Sequence, residues 1–429
     1  MRMTKENHLR VLVVSNNGFS KTSNNGRTLG NLFINWPKEK LAQFCISTAD
    51  PDYDLCNNYY LLTDKSVLDG FIHFRKGYRC VLDENKGSEG NTIIGGKKMV
   101  KTPLKALFRY LVWSKERWNS SEFKEWIDSF NPEVVLVMNS DAIFVLDIAY
   151  KISKTRRIPL VLFNTEGYFF FNCNYFSSSR FCSNTLFKIY QIIYKRHFRR
   201  MMSQVSLSIH LNSSLKKDYY NEFGGNHMIL YTGSSVAFDS SSLNVNNPTF
   251  SYLGNFGYNR PKALVEVAKT LQSINHNYYL DIYGNAPRKE IIDILESEEG
   301  IRFYGMIPYE KVVEVIKNST ILFHVEAQDE SLKESLKYGF STKIADSISS
   351  GRCFVMYSSL DVAGAKYIKE TDAGWLADNL SDLRQIVLSI LTNAEERNHV
   401  LSIARRIATE NHDIKRNSIR FRQALLSVL

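Results

Sequence analysis

The 429-residue sequence has no run of about eighteen apolar residues, so no membrane-spanning helix is expected. Its first ten residues are polar and charged and lack the apolar core of a signal peptide, which points to a cytoplasmic chain. Six cysteines, at 45, 56, 80, 173, 182 and 353, show no metal-ligand spacing and read as free thiols in a reducing compartment. The nine histidines form no metal spacing either. There is no G-x-G-x-x-G, hence no dinucleotide fingerprint, and no internal repeat or coiled-coil heptad. No Asp-x-Asp pair follows a strand in a way that suggests Mg²⁺ or Mn²⁺.

What is present is a large, basic α/β pattern. Hydrophobic residues make up 44% and charged residues 23%, enough for two domains. The net charge of +10 permits acidic partners such as nucleotide phosphates, anionic lipid or nucleic acid, without choosing among them. Apolar runs at Leu9–Ser15, Leu41–Thr48, Glu133–Met138, Pro159–Phe163, Val205–His210 and Met228–Tyr231 read as strands of a first parallel sheet. Asp50–Asp83 reads as irregular, Glu84–Lys98 as a mobile loop, and Lys101–Phe130 as one helical region. Residues 232–248, rich in Ser and Asn, are the best linker. A second α/β series follows, with strands at Phe250–Leu253, Tyr278–Tyr283, Ile301–Tyr304, Thr320–Val325, Cys353–Tyr357 and Trp375–Ala377. The domains expected are 1–235 and 248–408, with 409–429 a helix returning to the first.

Three stretches hold candidate chemistry. The Gly/Asn/Ser-rich loop from Asn16 to Thr28, after the first strand, lets the backbone approach a ligand closely, or is a plain surface loop. Glu166 lies just past a strand's carboxyl end, where open α/β sheets place ligands. Its alternative role is a loop carboxylate capping the next segment. Ser341 and Thr342 are good N-cap residues, with Lys343 in the first turn of the helix they open. Backbone N–H groups, the positive helix end and an ammonium converge there as an anion site. Asp346, one turn on, can accept hydrogen bonds from sugar hydroxyls. The plainer reading is a capped helix with a solvated lysine. The 181–202 segment, with Lys188, Lys195, Arg196, Arg199 and Arg200 beside aromatic positions, reads as a helix packed on its sheet; the same pattern can lie on an anionic membrane.

The second half also resembles a known family. The pieces are Phe250–Asn255 with Arg260-Pro261, Asp281-Ile282-Tyr283-Gly284-Asn285, Ile301–Ile307, and Tyr338–Asp346 with Ser350-Gly351. In that order and spacing they are similar to the nucleotide-binding half of GT-B glycosyltransferases, most of all to family four, the bacterial surface-polysaccharide type. The resemblance implies two Rossmann-like domains facing across a cleft, with a nucleotide-diphosphate sugar on the second and a glycan or lipid-linked acceptor on the first. It implies donor phosphates near Gly26 and near Gly254, Asn255 and Arg260, with Asn255 where an Arg is usual and Arg260 where a Lys is usual. Gly284 belongs to the matched set. Gly305, Met306 and Ile307 fall on the base-contacting segment, Asp346 on the ribose carboxylate, and Tyr338 where a sugar-contacting Glu is usual. The catalytic set expected is Glu166, Arg260 and Lys343, with donor contacts also from Ser341 and Thr342. Retention of anomeric configuration follows on family grounds, although Glu166 can serve as base in an inverting displacement. No metal cofactor is expected. Peripheral contact with the inner membrane face is compatible with the basic, aromatic first half. The second reading is a GT-B binding subunit without catalysis; nucleic-acid binding ranks last, since the basic residues form no recognised module.

Overall fold

The computed structural model describes residues 8–21, 24–47, 51–80, 101–176, 183–286, 288–329 and 332–429. The loop expected at Glu84–Lys98 and Cys182 lie outside these. The chain divides into two units. The first comprises 1–211, 215–230 and 415–429; the second comprises 212–214 and 231–414.

The first unit runs β1 (Val11–Val14), α1 (Asn24–Gly30), β2 (Leu41–Cys45), β3 (Asn58–Leu61), α2 (Asp64–Ile72), α3 (Pro103–Trp113), α4 (Ser121–Phe130), β4 (Val134–Met138), α5 (Ile143–Arg156), β5 (Leu160–Asn164), α6 (Ser183–Met202), β6 (Val205–His210), α7 (Ser213–Phe223) and β7 (His227–Ile229). Its seven strands are all parallel, in the order β3-β2-β1-β4-β5-β6-β7. β1, β2, β4 and β5 are buried along their whole length, as expected of strands covered by helices on both faces.

The second unit runs β8 (Phe250–Leu253), α8 (Arg260–Ile274), β9 (Leu280–Tyr283), α9 (Lys289–Glu296), β10 (Ile301–Gly305), α10 (Tyr309–Asn318), β11 (Ile321–Val325), α11 (Lys333–Leu336), α12 (Thr342–Ser349), β12 (Cys353–Tyr357), α13 (Ala363–Thr371), β13 (Trp375–Ala377), α14 (Leu380–Thr392) and α15 (Ala394–Ile407). Its sheet is parallel, in the order β10-β9-β8-β11-β12-β13. The last helix, α16 (Ile414–Leu426), belongs to the first unit. There Phe421 packs edge-on to Phe33 at 5.2 Å, and Ser418 Oγ donates to the Ile34 carbonyl at 3.1 Å.

Three expectations change. The described part of Asp50–Asp83, residues 51–80, is not wholly irregular: it includes β3 and α2, the latter capped by Thr63, whose side chain accepts from Ser66 N at 3.2 Å. Lys101–Phe130 is two helices, because Lys115 and Glu116 both take left-handed backbone conformations (φ 57° and 51°) and break the ladder. Residues 232–248 are not a free linker. Val236 is buried in the second unit's core, Arg352 pairs with Asp239 at 2.6 Å, and Asp239 N donates to the Ser350 carbonyl at 3.0 Å. The boundary therefore falls at 230/231 rather than 235, and the return to the first unit at 415 rather than 409.

Candidate functional site

In the second unit β8 lies between β9 and β11, so the chain leaves β8 and β11 toward opposite edges of the sheet. The crevice outside such a pair of strand ends is where open α/β sheets hold ligands. Arg260 comes from the β8 side as the first residue of α8, after two left-handed residues, Tyr258 (φ 54°) and Asn259 (φ 57°). Glu326 comes from the β11 side, one residue past the strand.

These two side chains meet. Arg260 Nε donates to Glu326 Oε2 at 3.0 Å and to the Val325 carbonyl at 3.1 Å, and Nη2 donates to Glu326 Oε1 at 2.7 Å. Arg260 Nη1 donates to Asn255 Oδ1. His324 Nε2 donates to Glu326 Oε1 at 3.1 Å, and all three charged or titratable residues are buried. Burial alone would raise the Glu326 pKa, but the His324 hydrogen bond and the Arg260 charge outweigh it and hold the pKa at about 2. Burial drives the His324 pKa down, and Arg260 and Lys343 add to that against the pull of Glu326, so His324 stays neutral. Lys343 and Arg260 thus both disfavour a charge on the same imidazole, and α12 packs against β11, the strand that carries it. Arg260 itself is no exposed phosphate grip: its guanidinium is already engaged.

At the start of α12 the Ser341 side chain accepts from Lys343 N at 3.3 Å, the cap read from sequence. Ser341, Thr342 and Lys343 are half-buried. Asp346 is buried and accepts from Ser234 Oγ at 2.6 Å. Tyr338 is 2% exposed; its carbonyl accepts from Asn212 Nδ2 at 3.1 Å and its hydroxyl from Lys337 Nζ at 3.0 Å. The aromatic ring standing at the expected sugar-contact position is therefore an interior side chain.

Gly254 and Gly284 directly follow two paired strands, and Gly305 ends the next strand opposite Tyr283, after a register shift. Gly254 N donates to the Tyr283 carbonyl at 2.9 Å, and Gly284 N to the Gly305 carbonyl at 2.8 Å. A Cβ on Gly284 would lie 1.9 Å from the Gly254 carbonyl oxygen, so side-chain-free backbone is what lets these ends close. Beyond them Met306 is exposed and Ile307 half-buried. Tyr283 and Tyr304 stack at 4.9 Å beside this segment, a pair the sequence reading did not single out.

In the first unit, Gly26 is not in the loop but in the first turn of α1. A Cβ there would sit 2.7 Å from the Gly18 carbonyl oxygen and 2.8 Å from Ser20 N, so the helix touches its preceding loop. Glu166 follows β5, and burial pushes its pKa up to about 7. Behind it runs a polar chain. Tyr194 donates to Asn139 (2.8 Å), Asn139 to Asn164 (2.7 Å), and Asn164 lies 3.4 Å from His210 Nδ1, whose Nε2 is 2.9 Å from His227. Glu326, His324 and this chain were missed in the sequence. A charged residue directly after a buried strand that already carries a histidine was the available signal for Glu326.

Among the described residues, no His, Cys, Asp or Glu cluster is placed to hold a metal, and no helix is long and apolar enough to cross a membrane.

Residues 235–407 match the family model of glycosyl transferases group 1. Over both units the chain superposes on solved glycosyltransferase structures. The fold is GT-B. Anabaena HepE in complex with UDP aligns at TM-score 0.61 and 13% identity, covering 98% of this chain and all of that one. Sucrose-phosphate synthase from Thermosynechococcus elongatus aligns at 0.61 and 10%, covering 98% and 99%. WaaG, a glycosyltransferase involved in lipopolysaccharide biosynthesis, aligns at 0.53 and 13%, covering 97% and 99%. No curated protein matches the chain by sequence. The group 1 match thus falls on the GT-B domain that contains Arg260, Glu326 and the α12 start.

Proposed function

We propose that this chain transfers a sugar from a nucleoside diphosphate donor to a glycan or lipid-linked acceptor, in surface-polysaccharide synthesis and with retention of configuration. The observation behind this reading is the capped, lysine-bearing start of α12 within a domain that matches glycosyl transferases group 1. Negative charge grows on the departing diphosphate, and preorganised N–H groups and an ammonium stabilise it. In this reading Ser341, Thr342 and Lys343 meet the diphosphate, Asp346 the ribose, and Gly305-Met306-Ile307 the base. Glu166, with its pKa near 7, handles a proton on the acceptor side. HepE has been solved with UDP and with UDP-glucose, which makes a uridine donor the first to try.

The test is incubation with UDP-, GDP- and other sugar nucleotides, with and without EDTA, following donor hydrolysis. Turnover that survives EDTA supports a metal-independent transferase; no hydrolysis and no binding of any donor removes the reading. A native chain that binds donor without turnover would instead be the non-catalytic GT-B subunit.

Membrane contact belongs to the same proposal. Leu104, Phe108 and Leu111 on α3 and Ile189 and Ile192 on α6 are exposed beside Lys105, Lys188 and Arg196. Tyr110 of α3 lies 3.0 Å from His197 of α6, which ties the two helices together. Apolar and basic side chains on neighbouring helices suit an anionic bilayer surface. Co-sedimentation with anionic but not neutral vesicles supports this placement on the inner membrane face; equal recovery from both removes it.

A further inference from the structure

The contact between Arg260 and Glu326 limits what the second domain offers a diphosphate. A guanidinium has five N–H groups, and its bidentate edge is what grips a phosphate or carboxylate. Here the Nε–Nη2 edge already holds Glu326, at 3.0 and 2.7 Å, with the Val325 carbonyl sharing Nε. Nη1 is engaged by Asn255 Oδ1, and Arg260 as a whole is 8% exposed. His324 Nε2, 3.1 Å from Glu326 Oε1, shares that oxygen with Arg260 Nη2.

Simple stability does not account for this arrangement. Desolvating two charges is expensive, and apolar residues of similar size often serve a fold equally well. The pair lies where β8 and β11 diverge, the place such sheets reserve for ligands. With His324 neutral, Arg260 and Glu326 sum to zero charge. A dianionic diphosphate nearby is attracted by the guanidinium and repelled by the carboxylate at almost the same distance.

We infer that Glu326 is a resident counter-anion that withholds Arg260 from the donor phosphates and so sets the donor affinity of this domain. Glu326 acts through Arg260, as a positioning residue: it weakens a contact the site would otherwise make. The inference rests on the donor reading above.

The experiment compares the full chain with Glu326→Gln and with the double replacement Arg260→Met/Glu326→Met. Dissociation constants for UDP, GDP and ADP are measured by titration calorimetry, with thermal melting as the check on folding. Gln keeps the shape and one acceptor oxygen but releases the guanidinium's charge, so diphosphate binding tightens by about tenfold. The Met pair removes both charges together, and affinity stays within about threefold of the unchanged chain. Equal or weaker binding by Glu326→Gln, or a loss of more than about tenfold in the Met pair, overturns the inference. If Glu326→Gln fails to fold, the Met pair decides alone. If the unchanged chain binds no diphosphate while Glu326→Gln does, the donor reading falls for the native chain and the counter-anion stands. If neither binds, both fall.

Discussion

Arg260 and Glu326 lie 66 positions apart in sequence and in direct contact in the fold, Nη2 to Oε1 at 2.7 Å with both side chains buried. Each opens or closes a different strand connection, Arg260 at the head of α8 and Glu326 at the foot of β11. The contact therefore joins the two halves of the second sheet at the point where its strand order turns round.

Removing one partner of this pair should be costly. Arg260→Ala leaves a buried carboxylate held by His324 without its guanidinium, and the expected loss is about 3–5 kcal/mol. The Met pair should be near neutral. Urea midpoints of the three proteins check this; similar midpoints for Arg260→Ala and the unchanged chain would show that the pair is solvated.

Acid should destabilise the fold starting below pH 6.5. His412 is buried, with Nδ1 donating to the Thr232 carbonyl at 2.8 Å and Nε2 accepting from Tyr367 at 2.8 Å, and burial lowers its pKa to about 4. Burial, with His227 and Lys216 nearby, lowers that of His210 to about 3. The unfolded chain takes up these protons first, so stability is full above pH 6.5 and falls as pH drops toward 4. Each histidine accounts for about 3 kcal/mol by pH 4. Glu326, held at about 2, adds to the loss between pH 4.5 and 2. Melting temperatures from pH 7 to 4 test this; a flat profile from 7 to 5 contradicts buried neutral imidazoles.

Glycine at 284 should be irreplaceable. Gly284→Ala puts a methyl into the Gly254 carbonyl oxygen and should cost several kcal/mol by forcing β8 and β9 apart at their ends. Gly305→Ala has open space and only its positive φ of 70° to satisfy, so about 1 kcal/mol is expected. Thermal melting separates the two; equal losses would mean that backbone strain, not contact, governs this corner.

Glu166→Gln should change the pH profile of turnover more than the fold. A carboxyl with a pKa near 7 is half-ionised at neutral pH, so its removal should erase a limb of the profile centred there. A profile identical in shape and height would take Glu166 off the list of reacting groups.

The α12 start gives a paired test. Lys343→Met should weaken nucleoside diphosphate binding about tenfold by losing one ammonium, with little change in melting. Ser341→Ala should cost about 1 kcal/mol of stability through the lost cap, with a smaller effect on binding. The reverse pattern, with affinity indifferent to Lys343, would place the phosphates elsewhere.

Much of this architecture was legible because parallel strands covered on both faces are written as short apolar runs; Phe250–Leu253, Cys353–Tyr357 and Trp375–Ala377 stand where the pattern put them. β3 was hidden because Asn58-Tyr59-Tyr60-Leu61 has aromatic rather than aliphatic character and no clean period. The Ser341 cap is a local signal and could be read locally. The state of Arg260 could not, since a sequence shows a cation without its partner. Residues 232–248 misled for a related reason: Ser and Asn mark irregular backbone, not loose backbone, and Arg352 lies more than a hundred positions away from the Asp239 it binds.

The placement of α16 has a consequence for synthesis. Phe421 and Leu425, wholly enclosed, complete a nucleus that Phe33 and Trp36 begin near the opposite terminus. The nascent first unit therefore leaves the ribosome with an aromatic face uncovered. It can close only after the entire second sheet has been translated, and the delay exposes the chain to chaperones or self-association.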